Sequence, residues 1–232
     1  MNKNYSDSTY NSKNILKRFA HRKRFKNSLK LIEIKEGMQL LDFGCGNALF
    51  LNQLSQKSSV KINVVGFEPF MESIMLNSIK IEKEWERIED IVTENGPFDY
   101  ITCFEVLEHF SAEKQIEIID RMKNVLSENG YLIVSVPIEK GFSSLIKNII
   151  RKIDFPKSPE YTIENITASF FGKKMQDIRR GENYFTHMGF YFDDLEKIIL
   201  SKFTIEHKFF SPIKSLGYDF NSQVFYKLKL KR

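Results

Sequence analysis

Apolar positions recur along the chain with two periods, and the switches between them lay out the elements. Short apolar or alternating runs at 38–43, 61–67, 99–104 and 131–136 read as strands, and the run at 99–104 suits a strand covered on both faces. Helical spacing dominates 112–126, where Ile116, Ile119, Met122, Val125 and Leu126 follow Ser111 as N-cap. Asn129-Gly130 is expected to end that helix and Pro137 to close the next strand. Further helices are predicted over 14–34 (broken near Asn27 and stopped by Gly37), 48–56, 70–77, 85–92 and 193–203, and short strands over 78–82, 204–210 and 224–230. This alternation predicts a doubly wound α/β sheet with right-handed crossovers.

The alternation lapses from 139 to 183, too long for an ordinary loop, which predicts an inserted helical lid after the fifth strand. Its first helix, 143–153, lines up Leu145, Ile146, Ile149, Ile150 and Ile153, with Lys147, Arg151 and Lys152 elsewhere. That stripe suits either peripheral contact with a membrane surface or a lid packed on the sheet, and the three-turn length favours the packed lid.

At 232 residues the chain has enough material for one sizeable core and a cap. No run reaches the roughly 18 apolar residues of a membrane span and the first ten residues are polar, so a cytoplasmic protein is expected. Cys45 and Cys103 suit reduced thiols better than a disulfide framework. The net charge of +5 is uneven: Lys17, Arg18, Arg22, Lys23, Arg24, Lys26 and Lys30 occur without an intervening acid. This stretch is either an anion-attracting patch, for nucleic acid among others, or the solvated face of a helix whose Ile15, Leu16, Phe19, Leu29 and Ile32 turn inward, the reading we prefer.

The chemistry starts at LLDFGCGNALFL, residues 40–51, which reads as strand, glycine turn and helix. Gly44 and Gly46 let the backbone turn sharply and approach a ligand. Leu49 stands where a dinucleotide fingerprint wants its third glycine, so NAD and FAD lose support. With GFEPF around Glu68 and FDYITCFEVLEHF from Phe98, this segment resembles the class I S-adenosylmethionine-dependent methyltransferases. The likeness spans residues 35–137, with a weaker echo to about 210. The EVLEH string is most similar to the ubiquinone-biosynthesis O-methyltransferases and also resembles the small-RNA 3′-terminal 2′-O-methyltransferases. The resemblance implies a Rossmann-like seven-stranded sheet, mostly parallel, with an antiparallel C-terminal strand. It divides the chain into a basic helical segment, 1–34, and a methyltransferase domain, 35–232, with 139–183 as the acceptor lid.

S-adenosyl-L-methionine is thus the expected cofactor. Asp42, Gly44, Cys45 and Gly46 are expected around its methionyl part, Glu68 followed by Pro69 at the ribose hydroxyls, Glu84 or Trp85 at the adenine, with Phe67 and Phe70 packing on its ring, and Phe104 and Glu105 beside the methyl. Asn47, where relatives often carry a small or hydroxyl residue, and the short segment between Glu68 and Asp99 leave the adenine contacts open. Glu105, Glu108 and His109 fall at i, i+3 and i+4, one face if a helical turn opens at Glu105. Two carboxylates and an imidazole can hold a divalent cation. In the resembling RNA enzymes a later histidine completes such a site, and His187 is the matching position. Without a metal, His109 or His187 would be the general base beside Glu108. The expected activity is methyl transfer to a small-molecule hydroxyl on a quinone precursor, sugar or secondary metabolite. The rivals are RNA 2′-O-methylation and a silent cofactor-binding regulatory subunit.

Overall fold

The computed structural model describes residues 23, 25–70, 79–175, 179, 181–184 and 186–231. Its strands are β1 (Gln39–Phe43), β2 (Asn63–Phe67), β3 (Lys80–Glu82), β4 (Phe98–Phe104), β5 (Leu126–Pro137), β6 (Phe203–Ser211) and β7 (Gln223–Leu230). They form one sheet in the order β3-β2-β1-β4-β5-β7-β6. The first five pair in parallel, and β7 runs antiparallel to both β5 and β6. The helices are α1 (Leu49–Lys57), α2 (Trp85–Asn95), α3 (Ala112–Val125), α4 (Gly141–Asp154), α5 (Ile163–Phe170) and α6 (Phe192–Lys202). Among the described residues no helix is long and apolar enough to cross a membrane.

Strand alternation sends the apolar side chains to two cores. Leu41, Ile101, Leu132 and Val134 face a cluster shared with α2, α3 and α6; Leu40, Tyr100 and Ile133 face another shared with α1 and with Phe25 and Leu29. Strand order reverses between β1 and β4, the place where sheets of this kind bind ligands at the carboxyl ends of their strands.

Some expectations shift. Residues 25–29 are helical but a turn follows at 30–31, so the N-terminal helix stops well before Ile34; the part before residue 23 lies outside the described residues, as does the helix expected over 70–77 apart from Phe70. Ile32 is buried and Leu29 packs on the core as expected. α3 ends at Val125 and β5 begins directly at Leu126, ahead of Asn129-Gly130, because Leu126 already pairs with Phe98. The larger correction concerns α4. Its buried residues are Gly141, Ser144 and Asn148, while Ile146, Ile149, Ile150 and Ile153 are 46 to 72% exposed. The apolar stripe does not pack on the sheet. The physical reason lies beneath the helix, where the buried Glu139 carboxylate draws in its polar side: Lys147 Nζ donates to Glu139 Oε1 at 2.9 Å and Arg151 Nη1 to Oε2 at 3.0 Å.

Candidate active site

A cavity of about 700 Å³ opens at the carboxyl ends of β1, β2 and β4. The backbone leaving β1 shapes its floor. Gly44 has φ +75°, and a Cβ there would lie 2.3 Å from Val106 Cγ2, so the turn against the loop after β4 requires glycine. Gly44 N and Cys45 N both donate to Phe67 O, at 2.8 and 3.2 Å, binding the turn to the end of β2. Glu68 then reaches back: its Oε2 accepts from Gly46 N at 3.1 Å and its Oε1 from Phe70 N at 3.1 Å. Asp42 is fully enclosed, and Thr102 Oγ1 donates to it at 2.6 Å across β1 and β4. Burial pushes the Asp42 carboxyl up to about 7; the Thr102 bond opposes the rise and the Glu68 charge adds to it. Burial, with Asp42 and Glu68 nearby, likewise pushes the Cys45 thiol upward, so it is no nucleophile.

Around this floor stand Pro69, Phe104 and Glu105, with Phe25, Phe50, Phe67, Phe70 and Phe110 supplying much of an apolar lining. Trp85 lines the cavity yet is only 5% exposed, held between Phe43 and Phe67 at centroid distances of 5.7 and 5.3 Å. Glu84 is exposed at the head of α2 and is not among the lining residues.

Past β4 the chain departs from the expected geometry. Glu105 adopts φ +58°, a left-handed conformation uncommon for a residue with a Cβ. The turn therefore opens later, as a 3₁₀ turn over Leu107–His109, and Glu105 does not share a helical face with Glu108 and His109. The group that closes is Glu108, His109 and His187, whose ligand atoms lie within 4.8 Å of one another; Glu105 is outside it. Glu108 is fully buried, with its Oε1 4.0 Å from Nε2 of His109 and 4.0 Å from Nε2 of His187. The two imidazoles meet edge to face at 5.0 Å, and His109 is the member that lines the cavity.

Residues 182–184, from the stretch between β5 and α6, hold this turn. Ser111 N donates to Glu182 O and Tyr184 N to His109 O, while His109 Nδ1 lies 2.8 Å from Tyr184 O. A carbonyl only accepts, so Nδ1 carries a proton, and in the neutral ring the lone pair is on Nε2, which faces Glu108. Burial holds His187 down to about 4; Glu139 opposes this, and His109, Arg151 and Lys147 reinforce it. Its imidazole is therefore neutral near pH 7. Glu139 behaves oppositely, since burial would raise it but Lys147 and Arg151 bring it down to about 2.

The structure thus brings Asp42, Gly44, Cys45, Gly46, Glu68, Pro69, Trp85, Phe104, Glu105 and His109 to one cavity, with Glu108 and His187 behind its wall. Sequence reasoning missed Glu139 and Tyr184. Glu139 had a signal, an acid just beyond an apolar strand as at Glu68; Tyr184, which also lines the cavity, had none for its contact with His109, since that contact is made by its backbone.

The sequence profile of the methyltransferase domain family matches residues 16–195. Ubiquinone biosynthesis O-methyltransferases of Glaesserella parasuis and Xylella fastidiosa are 28% identical over 127 residues and 29% over 105, covering 47% and 43% of this chain and 52% and 42% of theirs. The chain thus spans about half the length of the curated relatives it matches. Among solved structures, the PH0226 protein of Pyrococcus horikoshii aligns with a TM-score of 0.59 at 14% identity, over 98% of this chain and 96% of that one. The plantazolicin methyltransferase BpumL in complex with SAH gives 0.57 at 14%, over 97% and 89%. The small RNA methyltransferase HEN1 gives 0.53 at 14%, over 91% and 25%.

Proposed function

The chain belongs to the methyltransferase domain family, and from that premise we propose that it is an S-adenosylmethionine-dependent class I enzyme that methylates a hydroxyl group of a small, largely apolar acceptor. The observation that carries the reading is the Glu108–His109–His187 group, whose His109 lines the same cavity as the Gly44 turn and Glu68. The cavity volume falls within the range of small-molecule sites, and seven lining phenylalanines favour a ring or aliphatic body over a long polyanion.

In this reading the Gly44–Gly46 turn receives the methionyl end of the cofactor and Glu68 its ribose hydroxyls. The acceptor oxygen attacks the methyl carbon in line as the carbon–sulfur bond breaks, and S-adenosylhomocysteine leaves. Positioning of this kind supplies on the order of 7 to 11 kcal/mol. One carboxylate with two imidazoles fits a divalent first-row cation, and the Nδ1–H tautomer of His109 leaves the correct nitrogen to ligate. A cation held there would lower the pKa of the hydroxyl and orient it. Without one, the same Nε2 lone pair accepts the proton of the acceptor, so Tyr184 serves both routes.

Calorimetric titration of S-adenosylhomocysteine into chelator-treated protein, with magnesium, manganese and zinc titrated separately, tests the proposal. We expect cofactor-product binding and a metal heat that Glu108→Gln abolishes. Binding without a metal heat would leave His109 as base; no binding would remove the cofactor site. An acceptor screen on hydroxyl compounds then separates an active enzyme from a silent subunit, and steeply salt-dependent binding of RNA would favour the RNA rival.

A further inference from the structure

We propose that Glu139 is a positioning residue that fixes the tautomer and orientation of His187, making the lid helix α4 part of the support of the cation group. The inference rests on the reading of Glu108, His109 and His187 given above.

Glu139 follows β5 by two residues and is 2% exposed. Its Oε1 accepts from Lys147 at 2.9 Å and its Oε2 from Arg151 at 3.0 Å. Arg151 Nη2 also donates to Oε1 at 3.4 Å, and His187 is a further neighbour, its Nδ1 3.9 Å from Glu139 Oε1 and its Nε2 4.0 Å from Glu108 Oε1. The ring therefore stands between two buried carboxylates, one at each nitrogen. Two cations against one anion keep Glu139 charged, and an anion at Nδ1 favours the proton there, in competition with Glu108 at Nε2. The lone pair is left on Nε2, on the side of Glu108. At 3.9 Å the contact is electrostatic, and a shift of the ring by less than 1 Å turns it into a hydrogen bond.

The pattern matches that of His109, where Tyr184 O claims Nδ1. Both imidazoles of the group thus present Nε2 inward, as ligating histidines do when a second acceptor holds the other nitrogen. The rest of the lid is built onto the same carboxylate. Lys147 also donates to Ile138 O at 2.6 Å, and Arg151 to Asn148 Oδ1 at 2.9 Å. Asn148 bonds Ser144 and Ser169, and Ser169 Oγ donates to Glu139 O at 2.6 Å, which carries α5 into the network. A plain anchor for α4 would need the two cations but not the imidazole.

The test uses the full chain and two readouts. First, nitrogen-detected NMR of the wild type near neutral pH, with the signals of His187 assigned through His187→Gln, should show it in the Nδ1–H form. An Nε2–H form overturns the proposal without any Glu139 variant. Second, zinc alone is titrated into chelator-treated wild type and Glu139→Gln. We expect zinc affinity to fall 10- to 100-fold in the variant, with S-adenosylhomocysteine affinity within about twofold. Lowered thermal stability with unchanged zinc affinity and an unchanged His187 tautomer would mean an anchor only, and overturns it. No zinc heat in the wild type would overturn the cation reading itself, and the tautomer measurement would still decide what Glu139 does to the ring. If Glu139→Gln fails to fold, that measurement stands by itself.

Discussion

Asp42 and Glu139 are both buried carboxylates, one at each end of the site, and they titrate in opposite directions. Asp42 receives a neutral hydroxyl from Thr102 and rises to about 7; Glu139 receives an ammonium and a guanidinium and falls to about 2. Burial raises both, and only full charges outweigh it. The difference separates two ways of building a site. The end we assign to the cofactor is a short run of backbone turned by glycine and tied by main-chain hydrogen bonds, with few charges. The end we assign to the acceptor gathers Glu108, His109, Glu139, Lys147, Arg151 and His187 from four stretches of chain around buried charge.

The sharpest way to break the comparison is at the acceptor end. Replacing Glu108 by Gln should lower turnover by at least about 100-fold while S-adenosylhomocysteine affinity stays within about twofold; full turnover in a steady-state assay would move the chemistry elsewhere. At the cofactor end, Glu68→Ala should weaken S-adenosylhomocysteine binding by about 10- to 100-fold, with a native circular-dichroism spectrum. Loss of the carboxylate removes acceptors from Gly46 N and Phe70 N as well as from the ribose. Unchanged affinity would sink the ribose assignment.

The two acids also predict opposite pH dependences of stability, each worth a few kcal/mol. Asp42 has a folded value of about 7 against 3.8 unfolded, so its contribution is complete below about pH 4 and is lost as pH rises toward 7. Glu139 has a folded value of about 2 against 4.5, so its contribution is complete above about pH 4.5 and is lost as pH falls toward 2. Urea unfolding from pH 4 to 8 should therefore show a downward slope that Asp42→Asn removes; a slope that persists would mean that Asp42 ionises normally. The smallest effect sharpens the picture of the lid. Ile150→Ser on the exposed face of α4 should change stability by no more than about 0.5 kcal/mol. A loss of 2 kcal/mol or more by thermal denaturation would mean that this face is covered.

Local pattern determined the strands, the glycine turn and the place of Glu68, and the family resemblance added the seven-stranded, mostly parallel sheet. The first three depend on neighbours within a few residues: strand alternation, a missing Cβ, an acid just after an apolar run. The EVLEH string likewise marked Glu108 and His109, and the family resemblance brought in His187 across more than seventy residues. Helical periodicity was correctly read in α4 as well, but its direction was not, because a stripe of isoleucines does not say which face the protein will claim. That is a tertiary matter: the inward side of the helix is the one that carries Lys147 and Arg151 to the buried Glu139. The left-handed turn at Glu105, which shifts the helical turn to Leu107, and the tautomer set by the carbonyl of Tyr184 were also tertiary decisions. The tautomer arises where the chain comes back to set a backbone carbonyl against His109, and a backbone contact leaves no signal in side-chain identity.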